Sequence, residues 1–199
     1  MLDYTKVCIE SIRRTTPESA REIIVVDNGS IDGSVEWLRE QSDIFLVENK
    51  ENRGFPGGCN QGIQASTGDS DIFLLNNDTM LPENALFWLR MGLYDKEENG
   101  SVGSVSNYAG GQVAVSGMNQ IPDLLAFGEK TNIPMICPYE NRLFLSGFAL
   151  LIKRSVIHLV GLLDERFFPG NNEDVDLGLR ILKAGYQNVL CKNSFILHF

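Results

Sequence analysis

The sequence predicts an α/β fold with a mostly parallel central sheet, and three observations predict it. Short β-branched runs alternate along the chain with segments of helical periodicity. The longest apolar runs, around Ile23–Val26 and Phe144–Ile152, are strand-sized and apolar on both faces, so helices must cover them on two sides. Clusters of Asn, Asp and Gly, as at Asn28-Gly29-Ser30 and Asn76-Asn77-Asp78-Thr79, punctuate the runs as turns. Sheets of this kind bind ligands outside the carboxyl ends of their strands.

The elements follow in order. Tyr4, Cys8 and Ile12 recur at i, i+4, which predicts a helix over Tyr4–Arg14 with Asp3 as N-cap. Glu22–Asp27 (EIIVVD) predicts a strand, Ser34–Gln41 a helix and Ile44–Glu48 a second strand. The glycine-rich stretch Asn52–Gly62 leads into a short helix. Asp71–Leu75 predicts a strand, Pro82 suits a first helical turn, and Glu83–Tyr94 predicts the helix after it. Val102–Val105 predicts a further strand. Ser106–Leu143 holds Gly110-Gly111, Pro122, Pro134 and Pro138 and is expected to be irregular, as lids and substrate loops are. Order is expected again at Phe144–Lys153 and Arg154–Leu159. Leu177, Ile181 and Leu182 give Asp174–Ala184 the apolar side of a helix, ended by Gly185. Asn188–Cys191 and Phe195–His198 are expected as short closing strands. Asp27, Asn52 and Asp78 each follow a predicted strand and should gather along one edge.

Composition narrows the function classes. A chain of 199 residues, 43% hydrophobic and 22% charged, suits one domain with a sizeable core and excludes a disordered, collagenous or disulfide-scaffold chain. The net charge of −9 argues against nucleic acid as a partner, while leaving room for a local basic pocket around one diphosphate. Cys8, Cys59, Cys137 and Cys191 form no CxxC pair and no metal-ligand spacing, and read as buried thiols of a reducing compartment. Met1–Thr15 has no signal-peptide pattern, and no apolar run approaches the ~20 residues of a transmembrane helix.

Four constellations could carry chemistry, and each has a second explanation. Asp78, closing Asn76-Asn77-Asp78 after a buried strand, suits a hard divalent cation, but it equally suits a turn that caps the next helix. The glycines of Asn52–Gly62 let a backbone approach an anion at a helix start, but match neither GxGxxG nor the P-loop, and also suit a tight connection. Glu173, Asp174 and Asp176 open a helix, where the dipole alone favours acids; one of them could serve as a general base. His198, at the end of a short apolar run, could ligate a metal or be incidental, whereas His158 has only a structural reading.

Order and spacing are more specific than any single segment. IIVVDNGSIDGS (Ile23–Ser34), NRGFPGGCNQGI (Asn52–Ile63), FLLNNDTMLP (Phe73–Pro82), SGFALLIKRSV (Ser146–Val156) and LLDERFFPGNNEDVDLGLRILKAGY (Leu162–Tyr186), followed by His198, strongly resemble the family-2 inverting glycosyltransferases of GT-A fold. The resemblance is closest to the bacterial rhamnosyltransferase-like branch and covers nearly the whole chain. It implies a nucleotide-diphospho-sugar transferase fold, Rossmann-like, forming a single catalytic domain over residues 1–199. Within it, residues 1–105 would be the nucleotide-binding half and 106–199 the acceptor-binding half.

The resemblance also implies roles. Asp27, with Asn28 beside it, would meet a uracil or thymine base. Asn52, Arg53, Gly54, Asn60 and Asn76 would line the nucleotide and diphosphate. Asp78 and His198 would ligate Mn²⁺ or Mg²⁺, with Asn76 standing where an Asp is usual. Asp174 would be the catalytic base, with Glu173 and Asp176 supporting it; on a helix Asp176 points roughly 200° away from Asp174. Arg180 would pair with a nearby acid, and Phe167, Phe168 and Asn171 would face the acceptor. The implied partners are a UDP- or dTDP-sugar and a saccharide or lipid-linked acceptor, in cell-surface polysaccharide synthesis. The implied place is the cytoplasm, with peripheral association at the inner face of a membrane.

The family's first strand, with its Thr-Tyr-Asn-like end, has no counterpart ahead of Tyr4, and members usually continue past the histidine. The sheet is therefore expected to carry an unpaired seam beside Glu22–Asp27, with the chain unstable alone or closing the seam by strand exchange, dimerisation or a rearranged sheet. Two other readings stay open: a sugar-nucleotide-forming nucleotidyltransferase, which expects a glycine-rich, Arg-containing loop near the N-terminus, and a GT-A domain that binds nucleotide or sugar without turnover.

Overall fold

In the computed structural model, which describes residues 1–115, 117–118 and 120–199, the first predicted helix runs Leu2–Thr15 (α1). Its buried side is Thr5, Cys8, Ile9 and Ser11, and Asp3 lies inside the first turn, with Met1 at the N-cap position instead. A carboxylate one position further in still faces the positive end of the helix. Strands β1 (Ile23–Asp27) and β2 (Ile44–Glu48) pair in parallel, Ile23 opposite Ile44 and Asp27 opposite Glu48, with helix α2 (Ser34–Arg39) between them in sequence. Helix α3 (Gly54–Ala65) follows.

The larger sheet is built from β3 (Ile72–Leu75), β5 (Asn99–Val105), β6 (Tyr139–Arg142), β7 (Ala149–Ile152) and β8 (Gln187–Phe195), in the order β3-β7-β5-β8-β6. Strands β3, β5 and β8 share one direction, because β5 and β8 pair in parallel while β7 runs antiparallel to both β3 and β5; β6 is also reversed. The sheet is thus mixed, with the parallel pair β5 and β8 inside it. A two-stranded ribbon, β4 (Thr79–Met80) with β9 (Leu197–His198), sets Thr79 opposite His198.

Both faces are covered, as the apolar runs require. Leu150 and Ile152 join a core with Val156 and Ile157 of α6 (Arg154–Val160) and Leu177 and Ile181 of α7 (Glu173–Lys183). Ala149 and Leu151, one position out of phase, join Leu89 and Leu93 of α4 (Ala85–Leu93) on the opposite face. That alternation is the period of two of a strand.

Several expectations change. The middle is not simply irregular: Ile121–Thr131 forms a helix, α5, with Pro122 in its first turn, and Tyr139–Arg142 pairs with β8. The prolines that suggested loops stand at the entrance of one helix and outside it. The two closing strands are one nine-residue strand, β8, plus the short β9, because the polar Asn193 and Ser194 are buried within β8. The expected strand at Phe144–Lys153 shortens to β7, and residues 144–148 form the approach to it. Cys8 and Cys191 are buried, their thiols pushed by burial up to about 11 and about 12, but Cys137 is exposed.

The expected seam is present: among the described residues β1 pairs with β2 alone, and β3 with β7 alone. Unpaired strand edges open to solvent more readily than a doubly paired strand. Amides of Ile23–Asp27 should therefore exchange with deuterium at least ~10²-fold faster than those of Asn99–Val105. Equal protection of the two segments would contradict this division of the sheet.

Candidate functional site

Gly147 and Phe148, just ahead of β7, touch Asp174, Asn76 and His198. Gly147 donates its N–H to Asp174 Oδ2 at 3.1 Å. Phe148 accepts at its carbonyl oxygen from the Asn76 N–H at 2.8 Å. Its ring stacks on the His198 imidazole, with centroids 5.2 Å apart and planes at 15°. Gly147 packs closely here: a Cβ would lie 3.1 Å from the Phe55 ring, which would have to give by a few tenths of an ångström, and 3.8 Å from Asp174 Cβ, an ordinary contact.

Asp174 sits in the first turn of α7, so its carboxylate meets free backbone N–H groups. Oδ1 accepts from Val175 N–H at 2.8 Å, so both oxygens are oriented by main chain. The turn before it holds Asn171 at φ 86° and Asn172 at φ 73°, left-handed conformations that asparagine tolerates best among residues with a Cβ. Glu173 is buried, one carboxylate oxygen has no partner, and burial, then the nearby Asp174 charge, raises its pKa. Asp176 points elsewhere and ion-pairs with Arg180 at 2.8 Å, as expected of that arginine.

The second group lies at the β4–β9 ribbon. His198 Nε2 is 3.2 Å from Asp78 Oδ1 and 3.4 Å from Asn76 Nδ2. His198 Nδ1 is 2.7 Å from the Tyr108 carbonyl oxygen, which can only accept, so Nδ1 carries a proton and Nε2 faces Asp78. The Asp78 hydrogen bond raises the histidine pKa, and the same bond lowers that of Asp78. Asn107 accepts from the His198 N–H at 2.8 Å and donates to its carbonyl at 2.7 Å. Asn77 turns away, donating to Thr5 Oγ1 of α1 at 2.9 Å.

The donor set, one carboxylate and one imidazole on half-buried side chains, fits a divalent cation that takes its other ligands from water and a diphosphate. No cluster of three or more His, Cys, Asp or Glu side chains suited to a metal occurs among the described residues.

The third group is the loop from β2 into α3. Gly54, at φ 74°, is pressed against Phe168 and Pro169, where a Cβ would be 2.8 Å from the Phe168 ring. Phe55 donates its N–H to the Pro169 carbonyl oxygen at 2.7 Å. Asn52 Oδ1 accepts from Gly54 N–H at 2.8 Å, and Asn28 Nδ2 donates to the Gly54 carbonyl oxygen at 3.2 Å. Asn28 is itself held by Asn49, which exchanges two amide hydrogen bonds with Gln61 at 2.7 and 2.9 Å. Arg53 is exposed and 3.7 Å from Glu165.

Two predicted donor-side residues are engaged inside the protein. Asp27 is buried, and its Oδ1 accepts from Gly29 and Ser30 N–H, both at 2.9 Å, fixing the turn after β1. Asn60 is buried and clamps Leu163, accepting its N–H at 2.9 Å and donating to its carbonyl at 2.8 Å, with a further bond to Glu165. Phe168 and Asn171 are exposed, while Phe167 belongs to a 3₁₀ turn. Sequence reasoning did not single out Asn49, Gln61, Asn107, Tyr108, Gln112 or Phe148. Of these, Asn49, just past β2, and Asn107, just past β5, carry the strand-end signal used for Asp27 and Asp78.

Comparison with known proteins fits this geometry. The glycosyl transferase family 2 profile matches residues 2–160. An N-acetylglucosaminyl-diphospho-decaprenol L-rhamnosyltransferase of Mycobacterium tuberculosis is 27% identical over 203 residues, covering 88% of this chain and 66% of the relative. A poly-beta-1,6-N-acetyl-D-glucosamine synthase of Staphylococcus aureus is 32% identical over 72 residues, covering 35% of this chain and 17% of the relative. The chain thus spans less than two thirds of these relatives' lengths. GalNAc-T7, solved with UDP, GalNAc and Mn²⁺, superposes with a TM-score of 0.73 at 15% identity, over 96% of this chain and 40% of that one. The mannosyltransferase PcManGT from Pyrobaculum calidifontis, in complex with GDP-Man and Mn²⁺, gives 0.69 at 18% identity, over 100% of this chain and 53% of that one. At such identities the likeness is one of fold, and the fold is GT-A. By the match over residues 2–160, the chain belongs to glycosyl transferase family 2.

Proposed function

We propose that the chain is the catalytic domain of an inverting glycosyltransferase that moves a sugar from a UDP- or dTDP-sugar to a hydroxyl of a saccharide or lipid-linked acceptor, in cell-surface polysaccharide synthesis. The observation that carries the reading is the common backbone of the two active groups: Ser146-Gly147-Phe148 holds Asp174 on one side and the Asn76 strand end with His198 on the other. A base opposite a phosphate-facing carboxylate–imidazole pair is what a single displacement needs, and no enzyme nucleophile is required.

Residues 1–105 supply the donor side in this reading. Asn28, Asn52, Arg53 and Gly54 form the cradle at the start of α3, where N–H groups and the helix dipole attract a diphosphate. Asp27 and Asn60 sit behind that cradle, and Asn76 lies beside His198. Residues 106–199 supply the acceptor side and one cation ligand, His198. Asp78 and His198 would hold Mn²⁺ or Mg²⁺, which offsets the negative charge on the departing diphosphate. Asp174 accepts the proton of the acceptor hydroxyl as that oxygen bonds to the anomeric carbon and the bond to the diphosphate breaks. Its two main-chain donors fix which way it points. Leu143, Phe144 and Phe168 are exposed apolar side chains, which supports an acceptor with an apolar part. A cytoplasmic place at the inner face of a membrane belongs to the same reading. The four free cysteines support a reducing compartment, and no helix among the described residues is long and apolar enough to cross a membrane.

Two measurements test this. Asp174→Asn should bind UDP or dTDP like the parent but lose transfer by ~10²–10⁴-fold; retained turnover would move the role to Glu173. In calorimetry, UDP or dTDP should bind more tightly with Mn²⁺ or Mg²⁺ than with chelator, and Asp78→Ala should abolish the difference. Equal affinity with cation and chelator in the parent would remove the metal role.

A further inference from the structure

Gln112 lies in the segment where the sequence suggested a lid, yet it is buried, with 4% of its surface exposed. Its Nε2 donates to the Ser104 carbonyl oxygen of β5 at 2.6 Å. Its Oε1 accepts from the N–H of Ser146, the residue before Gly147. Its main chain closes the loop that carries Asn107 and Tyr108: Ser106 N–H donates to the Gln112 carbonyl at 2.9 Å, and Gln112 N–H donates to that of Ala109 at 3.1 Å. Strand β5 makes room for it with Gly103, where a Cβ would stand 3.1 Å from Gln112 Nε2.

One amide therefore stands between two loops with different tasks. The first presents Asn107, which clasps the His198 backbone from both sides, and the Tyr108 carbonyl, which fixes His198 Nδ1. The second presents Gly147 N–H to Asp174 and the Phe148 carbonyl to Asn76. No other side chain among the hydrogen bonds of the described residues joins these two loops.

We propose that Gln112 is a positioning residue that fixes the cation side and the base side of the site to one another, so that their spacing is set by a single buried amide. This rests on the reading of Asp78 and His198 as cation ligands and of Asp174 as base. A planar amide with its donor and acceptor ends both engaged transmits displacement in a way a hydrocarbon of equal length does not. Partners behind metal ligands typically change affinity or activity by 10–100-fold.

The test compares the parent with Gln112→Met, which keeps length and loses both hydrogen bonds, and Gln112→Glu, which keeps an acceptor for Ser146 N–H. Mn²⁺ binding to the UDP-saturated protein is measured by calorimetry, UDP affinity in chelator serves as internal control, and transfer rates are taken at saturating Mn²⁺. In Gln112→Met the Mn²⁺ Kd should rise by ~10-fold and kcat should fall by ~10-fold or more, with UDP affinity in chelator within about twofold of the parent. A merely structural role would lower the binding stoichiometry and the melting temperature and leave the Mn²⁺ Kd unmoved, which would overturn the proposal. If Gln112→Met does not fold, Gln112→Glu decides. A weakened Mn²⁺ Kd at full stoichiometry supports the coupling, and a parental Kd overturns it. A parent that binds no Mn²⁺ with UDP overturns the underlying reading as well, whereas a parent that binds while both variants match it overturns the coupling alone.

Discussion

The hydrogen bond from Gly147 N–H to Asp174, made where the loop before β7 passes close to two helices, is the interaction on which the site depends. The Phe55 ring of α3 lies where a Cβ would intrude, and Asp174 of α7 lies just behind. The loop before β7 passes between the donor-side helix and the base-bearing helix closely enough for the Gly147 N–H to reach a carboxylate, and a Cβ there would press on the Phe55 ring at 3.1 Å. The neighbouring residues then use that closeness. Ser146 N–H is taken by Gln112, the Phe148 carbonyl by Asn76, and the Phe148 ring by His198. Asn76, Asp174 and His198, up to 122 positions apart in sequence, are thus held by one stretch of backbone.

Electrostatics follow from this arrangement. Asp174 and Glu173 are adjacent acids, and α7 favours both at its start. Their surroundings separate them. Asp174 has main-chain donors on both oxygens, while Glu173 is buried with an oxygen unpartnered, so burial works against its ionised form. The residue facing the Gly147 loop is Asp174. On the other side Asp78 and His198 are joined by a hydrogen bond that favours carboxylate and imidazolium together. The Tyr108 carbonyl and the stacked Phe148 keep that pair in place.

Much of this was legible in the sequence, for identifiable reasons. Strands β1, β2 and β3 are announced by apolar runs with Asx and Gly behind them, and α7 by three apolar residues on one side and a closing glycine. The grouping of Asn76, Asp78, Asp174 and His198 follows from a motif order that spacing alone left ambiguous. What was not legible is long-range. Nothing near Gln112 indicates that its amide will reach Ser146, because its partners are backbone atoms that any residue carries. Asn107 and Tyr108 act on His198 across about ninety positions, Tyr108 again through main chain. Helix α5 was hidden by the prolines around it, and the burial of Asn193 and Ser194 inside β8 made one strand of what read as two. Asp27 and Asn60 have the residue types a nucleotide site uses, yet their oxygens also fix a turn and a loop, a difference that only the folded partners reveal.

The most direct measurement of the central constraint is a double-mutant cycle on Gly147 and Phe55, read by transfer rate and by UDP affinity. Gly147→Val should fold and bind UDP in chelator as the parent does, while transfer falls by ~10²-fold because Asp174 is displaced from its donor. Phe55→Ala in the same chain should recover part of that loss, since it vacates the space the new side chain needs. Transfer by Gly147→Val at the parental rate, or a loss that Phe55→Ala leaves unchanged, would contradict the account of a site held together through this glycine.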